Sequence, residues 1–166
     1  MEVYKKFLND LDARLKDYST KHAEHLCCKK GCSHCCEKGD YPISQLELRY
    51  LMQGYINLES DKKLQVQDNI SRLQKGGQCP FLIKHECAIY PYRPIICRVH
   101  GLAYICKENT VKVPYCANNG LNYSKVYESK TFSAEPILEN LDTQNVLKNF
   151  DFGEIRNLYD WLNGID

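Results

Sequence analysis

Apolar side chains recur at Val3, Phe7, Leu11, Leu15 and Tyr18, and less clearly at His22 and Leu26, in steps of three and four. That spacing lays one stripe along a helix and predicts α-structure over residues 3–26. His22 and His25 then fall on or beside the stripe near its C-terminal end, where the helix dipole favours cations. Ser44 and Glu47 form an S-x-x-E capping box, which predicts a helix running through Leu46, Tyr50 and Leu51 to about Gly54. A further helix is predicted from Asp61 to Gln74, with Leu64, Ile70 and Leu73 inward and Gly76-Gly77 ending it.

From Cys79 to Cys116 the texture changes. Pro80, Pro91, Pro94 and Pro114 exclude long helices there. Pro94 suits the first turn of a short helix through Arg98. Leu102–Cys106 and Val111–Val113, flanking Lys107-Glu108-Asn109-Thr110, predict a β-hairpin. Helical periodicity returns from Ser133, with Ile137, Leu138, Leu141, Val146, Leu147 and Phe150 on one helix that has Pro136 near its start. Ile155, Leu158, Tyr159 and Leu162 predict a last helix after Gly153, and Trp161 and Tyr159 read as core. The expected fold is mainly α, with helices at both ends around an irregular, cysteine-rich centre that carries a small β-hairpin. A chain of 166 residues is expected to form one domain, 1–166, burying roughly 70% of the surface its unfolded form exposes. Within it, 28–116 is the cysteine region and 1–26 and 133–163 are the helical flanks.

Charge narrows the partners. Lys and Arg number 22 against 21 Asp and Glu, a net charge of +1. A nucleic-acid interface would need a basic stripe, and a membrane surface a basic patch; neither partner is expected. The first residues alternate charged and apolar positions, without the uninterrupted apolar run of a secretory signal. No later run reaches the length of a membrane span. The expected compartment is the cytoplasm.

That compartment gives the ten cysteines their meaning, because in a reducing environment clustered thiols ligate metal more often than they form disulfides. Residues 27–36, CCKKGCSHCC, hold Cys27, Cys28, Cys32, Cys35 and Cys36. Cys79, Cys87 and Cys97 form a second group, and the two predicted helices between the groups carry the chain away and back. Both groups are therefore expected to share one metal centre. Its candidate ligands are Cys28, Cys32, Cys35, Cys36, Cys79, Cys87, Cys97 and, from the hairpin's exit, Cys116. Cys27 competes with Cys28, and Cys106 in LAYIC reads as a buried apolar residue. His34, His85 and His100 are read as supporting rather than ligating. Lys29, Lys30, His34, Lys38, Arg93, Arg98 and His100 lie close to candidate ligands, where positive charge stabilises thiolates. Arg93 and Arg98 are the expected cofactor-binding neighbours. Thiolates accept zinc tetrahedrally or hold an iron–sulfur cluster, a 4Fe–4S form being favoured.

The pattern resembles the CxxCxxCC-type zinc- or iron-chelating family, also called the YkgJ family. That family has a four-cysteine group ending in CC, then a cysteine followed by proline, then C-x-I-Y-x-x-R-P-x-x-C-R. Cys79-Pro80-Phe81-Leu82 matches the second element. Cys87-Ala88-Ile89-Tyr90, Arg93-Pro94 and Cys97-Arg98 match the third position by position. The likeness covers residues 28–98. It departs from the family at the first gap, three residues from Cys28 to Cys32 in place of two, so Cys32, Cys35 and Cys36 carry the match more firmly than Cys28. The resemblance implies a cysteine-ligated zinc or iron centre, loosely labelled Fe–S oxidoreductase. It also points to flagellin lysine N-methylase as a relative with a related module.

The expected function is an intracellular cysteine-cluster protein holding an Fe–S cluster or zinc, redox-linked in an iron form; no protein or redox partner is named by the sequence. The alternative is a metalloenzyme, an oxidoreductase or methyl-transfer catalyst, with an open position at the cluster. A radical-S-adenosylmethionine reading of C-x3-C-x2-C (Cys28, Cys32, Cys35) needs a (β/α) barrel, and no repeated strand–helix pattern follows the motif. No glycine-rich cofactor loop is present either.

Overall fold

The computed structural model describes residues 1–28, 31–105, 111–125 and 147–164. In chain order the helices are α1 (Glu2–Lys21), α2 (Gln45–Ile56), α3 (Ser60–Ser71), α4 (Ile95–Val99) and α5 (Leu158–Asn163). The strands are β1 (Pro42–Ser44), β2 (Leu82–Ile83), β3 (Glu86–Cys87), β4 (Tyr104–Ile105), β5 (Val111–Lys112) and β6 (Ile155–Asn157). The fold is mainly α, helical towards both ends, with the cysteines between. The helix expected from Ser133, over its residues 133–146, lies outside the described residues, as do Cys106, Lys29 and Lys30. The chain divides into two compact units. One comprises Met1, Lys30–Arg98 and Phe150–Asp166, the other Glu2–Lys29 and Val99–Asn149.

The first unit is organised by a capping box that serves two helices. The Ser44 hydroxyl accepts the Glu47 N–H, while Glu47 Oε2 accepts the Ser44 N–H at 2.8 Å. The other carboxylate oxygen, Oε1, accepts the Ile95 N–H at 3.0 Å. One buried carboxylate, 3% exposed, therefore satisfies orphan donors at the starts of both α2 and α4. Pro94, just ahead of α4, accepts from the Cys97 and Arg98 N–H groups, closing the turn that the sequence predicts there. Ile43, Leu48, Leu51, Val66, Phe81, Ile89, Leu158, Trp161 and Leu162 form the core, and Cys79 and Cys87 pack against it.

Two short ladders complete this unit. Strand β1 pairs antiparallel with β6 in the register Ile43↔Arg156, and Trp161 donates its indole N–H to the Ile43 carbonyl. Asp40 bridges the Tyr159 and Gly76 amides, one oxygen to each. Strands β2 and β3 make a two-residue hairpin whose turn, Lys84 and His85, has positive φ at both positions (49° and 65°). That is the backbone of a type I′ turn, which Asn-Gly fills more comfortably.

Two expectations are corrected here. Leu64 is 63% exposed, and α3 turns inward the wholly buried Val66 together with Ile70, which packs against the core as expected. Ile155 sits in strand β6, and α5 starts only at Leu158.

In the second unit, α1 buries Tyr4, Leu8, Leu11, Leu15 and Tyr18. The stripe is thus displaced by one residue at its start from the expected Val3 and Phe7; Val3 is 73% exposed. Both frames offer apolar residues four apart, and the tyrosine body supplies the larger buried area. Strands β4 and β5 pair antiparallel as Tyr104↔Lys112 and Ile105↔Val111, within the segments the hairpin was expected to use. Among the described residues no helix is long and apolar enough to cross a membrane.

Removing the Glu47 carboxylate strands two buried N–H donors. Glu47→Ala is expected to cost about 3 kcal/mol of unfolding free energy, the scale of hydrogen bonds to a charged group plus their unpaired donors. Glu47→Gln, which keeps a single acceptor oxygen, should cost roughly half as much. Urea denaturation of the reduced protein measures both, and equal midpoints for wild type and Glu47→Ala would contradict the dual cap.

Candidate metal centre

The first cysteine group enters the first unit through a tight turn. The Cys36 and Glu37 N–H groups both reach back to the Ser33 carbonyl, while the Ser33 hydroxyl donates to Glu37 Oε1 and stands 3.3 Å from His85 Nδ1. Turn and β2–β3 hairpin thus meet at Ser33 and His85, which brings Cys87 to the turn's side. The Tyr41 hydroxyl donates to the Cys35 carbonyl at 2.6 Å and fixes the turn from below.

Cys79 joins by backbone. Its N–H donates to the Cys36 carbonyl at 2.7 Å, and the Gly39 N–H donates to the Gly77 carbonyl. A Cβ on Gly39 would lie 2.5 Å from Cys79 Cβ and 3.0 Å from the Cys36 oxygen. Only glycine lets the two segments run this close. Cys97 arrives on α4, whose first N–H is held by Glu47.

Burial and mutual charge set the proton affinities of these thiols. Burial pushes the Cys79 thiol up to about 12, with Cys87 and Cys35 adding to the rise. Burial also raises Cys87, and it raises Cys97 strongly, with Cys79, Cys87 and Cys35 as further causes. Cys35 Sγ and Cys36 Sγ stand 3.9 Å apart. Cys35 is pulled down chiefly by the hydrogen bond from Cys36, while that bond and burial drive Cys36 up. The pair thus loses a first proton readily and resists losing a second. The residues are only partly covered, yet burial is the leading cause of the rise at Cys79, Cys87 and Cys97.

Arg93 is a cation that acts on these thiols. It opposes the rise of Cys87 and Cys97 and helps lower Cys35. Its guanidinium lies 3.5 Å from the Tyr90 ring centroid and donates to the Tyr90 and Cys97 carbonyls. Arg98 is 7% exposed and donates to the Arg93 and Pro91 carbonyls. It shapes the loop carrying Arg93 and Cys97. A cavity of about 200 Å³ opens beside Cys79, lined by Asn69, Arg72, Gln74, Gln78 and Pro80 among others.

Structure therefore gathers Cys35, Cys36, Cys79, Cys87 and Cys97 in one unit, with Cys32 one residue before the Ser33 turn. Cys27, Cys28 and Cys116 belong to the other unit. There the buried Asn122 contacts both the Cys27 amide and the Cys28 sulfur, and Cys28 and Cys116 both act on Tyr123. His34 lies 3.7 Å from Glu37. Burial pushes His100 towards its neutral form. Among the described residues no disulfide is formed. Tyr41 and Asn122 were not singled out by the sequence, since neither stands in a motif; Asn122 lies beyond the last cysteine.

The donor chemistry suits a soft metal. Tetrahedral zinc with Zn–S near 2.3 Å has sulfurs about 3.8 Å apart, the separation that Cys35 and Cys36 already hold. Among the described residues no three Cys, His, Asp or Glu side chains yet stand arranged to hold a metal ion.

One family matches this pattern: CxxCxxCC, described as a "putative zinc- or iron-chelating domain", over residues 27–117. No curated protein and no solved structure matches the chain.

Gly39→Ala is expected to separate the Cys36 and Cys79 backbones and destabilise the first unit by about 1–3 kcal/mol, the usual cost of overpacking. Hydrogen exchange at the Cys79 amide reads the effect directly. Unchanged protection there would show that the close approach is dispensable.

Proposed function

The chain belongs to the CxxCxxCC family, and on that premise we propose that Cys35, Cys36, Cys79, Cys87 and Cys97, with Cys32 as a further donor, hold zinc or an iron–sulfur cluster. The observation that supports this reading is the bond from the Cys79 N–H to the Cys36 carbonyl, which ties the two cysteine groups together by their backbones, with Cys79 and Cys87 packed against the core beside it. Thiolate ligands are the common requirement of zinc and of Fe–S clusters. Binding draws protons off the thiols, Arg93 offsets part of the resulting negative charge, and the core residues beneath Cys79 and Cys87 keep water away. The bound group's first contribution is structural, locking the irregular 79–97 segment to the 33–39 turn. In an iron form it also carries electrons, which makes the site redox-linked.

The cavity at Cys79 supports a second reading, a metalloenzyme with one coordination position open to a small ligand. In that case an added small thiol perturbs the spectrum of the loaded protein, whereas a sulfur-saturated site stays silent.

Anaerobic purification with metal and acid-labile sulfide analysis tests the main proposal. Stoichiometric sulfide with a brown colour identifies an Fe–S cluster, and zinc without sulfide identifies a zinc site. Cys79→Ser should lose stoichiometric metal, and chelation should raise hydrogen exchange across residues 79–97 more than across α2. A chain that purifies reduced, metal-free and unaffected by chelator would defeat the proposal.

A further inference from the structure

The hairpin that carries Cys87 is fastened at its base. Cys79, just ahead of β2, donates its N–H to the Cys36 carbonyl, and its own carbonyl accepts the Leu82 N–H. One backbone bond at the base leaves the hairpin free to swing about it. A second fastening falls at the tip, where His85 Nδ1 lies 3.3 Å from Ser33 Oγ. Ser33 and Cys36 are the two ends of one turn, closed by the Cys36 N–H on the Ser33 carbonyl at 2.7 Å. Base and tip therefore grip opposite ends of the turn that holds Cys35. Cys87 lies on β3, the strand leading back from the tip.

Hydrogen counting fixes the direction of the tip bond. The Ser33 hydroxyl has one hydrogen and donates it to Glu37 Oε1 at 2.9 Å. What remains on Oγ is acceptor capacity, so the imidazole supplies the hydrogen and carries it on Nδ1. His85, Ser33 and Glu37 then form one chain of donors ending on a carboxylate, and bonds to an ionised acceptor are the stronger kind. The middle member, Ser33, is buried at 5% exposure. The backbone is strained at the same place. Lys84 and His85 have φ of 49° and 65°, left-handed values that glycine or asparagine adopts at less cost. A histidine kept there forgoes easier backbone geometry and places its ring on a buried hydroxyl.

We propose that His85 is a positioning residue for the metal centre: through Ser33 it latches the tip of the Cys87 hairpin to the turn of Cys35 and Cys36, holding the three cysteines in register for one metal ion. The inference rests on the metal-chelating reading above and adds to it a residue that orders the ligands without being one. Groups that orient metal ligands without touching the ion commonly change affinity by about 10- to 100-fold.

Zinc affinity, measured by competition with a chromophoric chelator, and the urea midpoint of the reduced, metal-free chain test this together. His85→Gly removes the donor, and its two backbone effects, easier left-handed geometry and a looser unfolded chain, oppose each other. Its zinc affinity should fall about tenfold, the lower end of that range, with the urea midpoint close to wild type. His85→Asn keeps an N–H donor the same number of bonds from the backbone and tolerates the left-handed φ, so it should bind zinc as wild type does. Ser33→Ala should weaken zinc binding by a similar factor, and adding His85→Gly to it should change nothing further, because the histidine acts through the hydroxyl. Should Ser33→Ala fail to fold, the two variants at the exposed His85 still decide. His85→Gly that binds zinc like wild type overturns the inference alone. So does His85→Asn that binds as weakly as His85→Gly, or an additive loss in the double variant. A wild-type chain that binds no zinc overturns this inference and the metal-chelating reading together.

Discussion

Bringing several thiols into one dry patch is the constraint that governs the first unit. A neutral thiol tolerates an apolar setting much as a small hydrophobe does. Cys79 and Cys87 accordingly pack on the same core as Phe81 and Ile89. The backbone must cooperate, because these cysteines come from segments far apart in sequence. The hydrogen bond from the Cys79 N–H to the Cys36 carbonyl and the missing side chain at Gly39 bring the two cysteine groups into register. Glu47 does the equivalent for Cys97 by fixing the first turn of α4.

Local chemistry was legible in the sequence, and non-local chemistry was not. The Ser44–Glu47 box is a three-residue relation whose two hydrogen bonds both lie within one turn, and the structure has both. The second oxygen of Glu47 reaches residue 95, and nothing in S-x-x-E announces that. Helix α1 was readable as a helix, but its buried face was misread at Val3 and Phe7, because Tyr4 and Leu8 offer an equally regular frame one residue on. Leu64 misled for a related reason: hydrophobicity alone does not say which face of a short helix meets the core, and Val66 took that place. The β1–β6 ladder joins residues more than a hundred positions apart. The Lys84-His85 turn lacks the Asn or Gly that usually marks a type I′ hairpin.

At the cysteines, order and spacing identified the segments, and the Arg-Pro pair identified the loop. The distinct work of the two arginines could not be read from them. Arg93 and Arg98 look equivalent as positive neighbours of Cys97. In the fold, Arg93 lies on Tyr90 and faces the thiols, whereas Arg98 donates into the loop's carbonyls. Tyr41 and Asn122 carry no signature, since each matters only through a partner brought close by folding.

The pattern of proton affinities explains why such a site calls for a cation. Cys35 and Cys36 together surrender one proton easily, and burial holds the remaining thiols protonated. One thiolate beside Arg93 is electrostatically balanced. Each further thiolate would add negative charge to a poorly solvated patch. A multivalent ion reverses that balance, because it meets several thiolates at once and replaces their protons. On the metal-binding proposal, the sulfurs that this fold makes poor acids alone would serve as ligands together, and the free energy of binding would couple to the folding of the turn, the hairpin and α4.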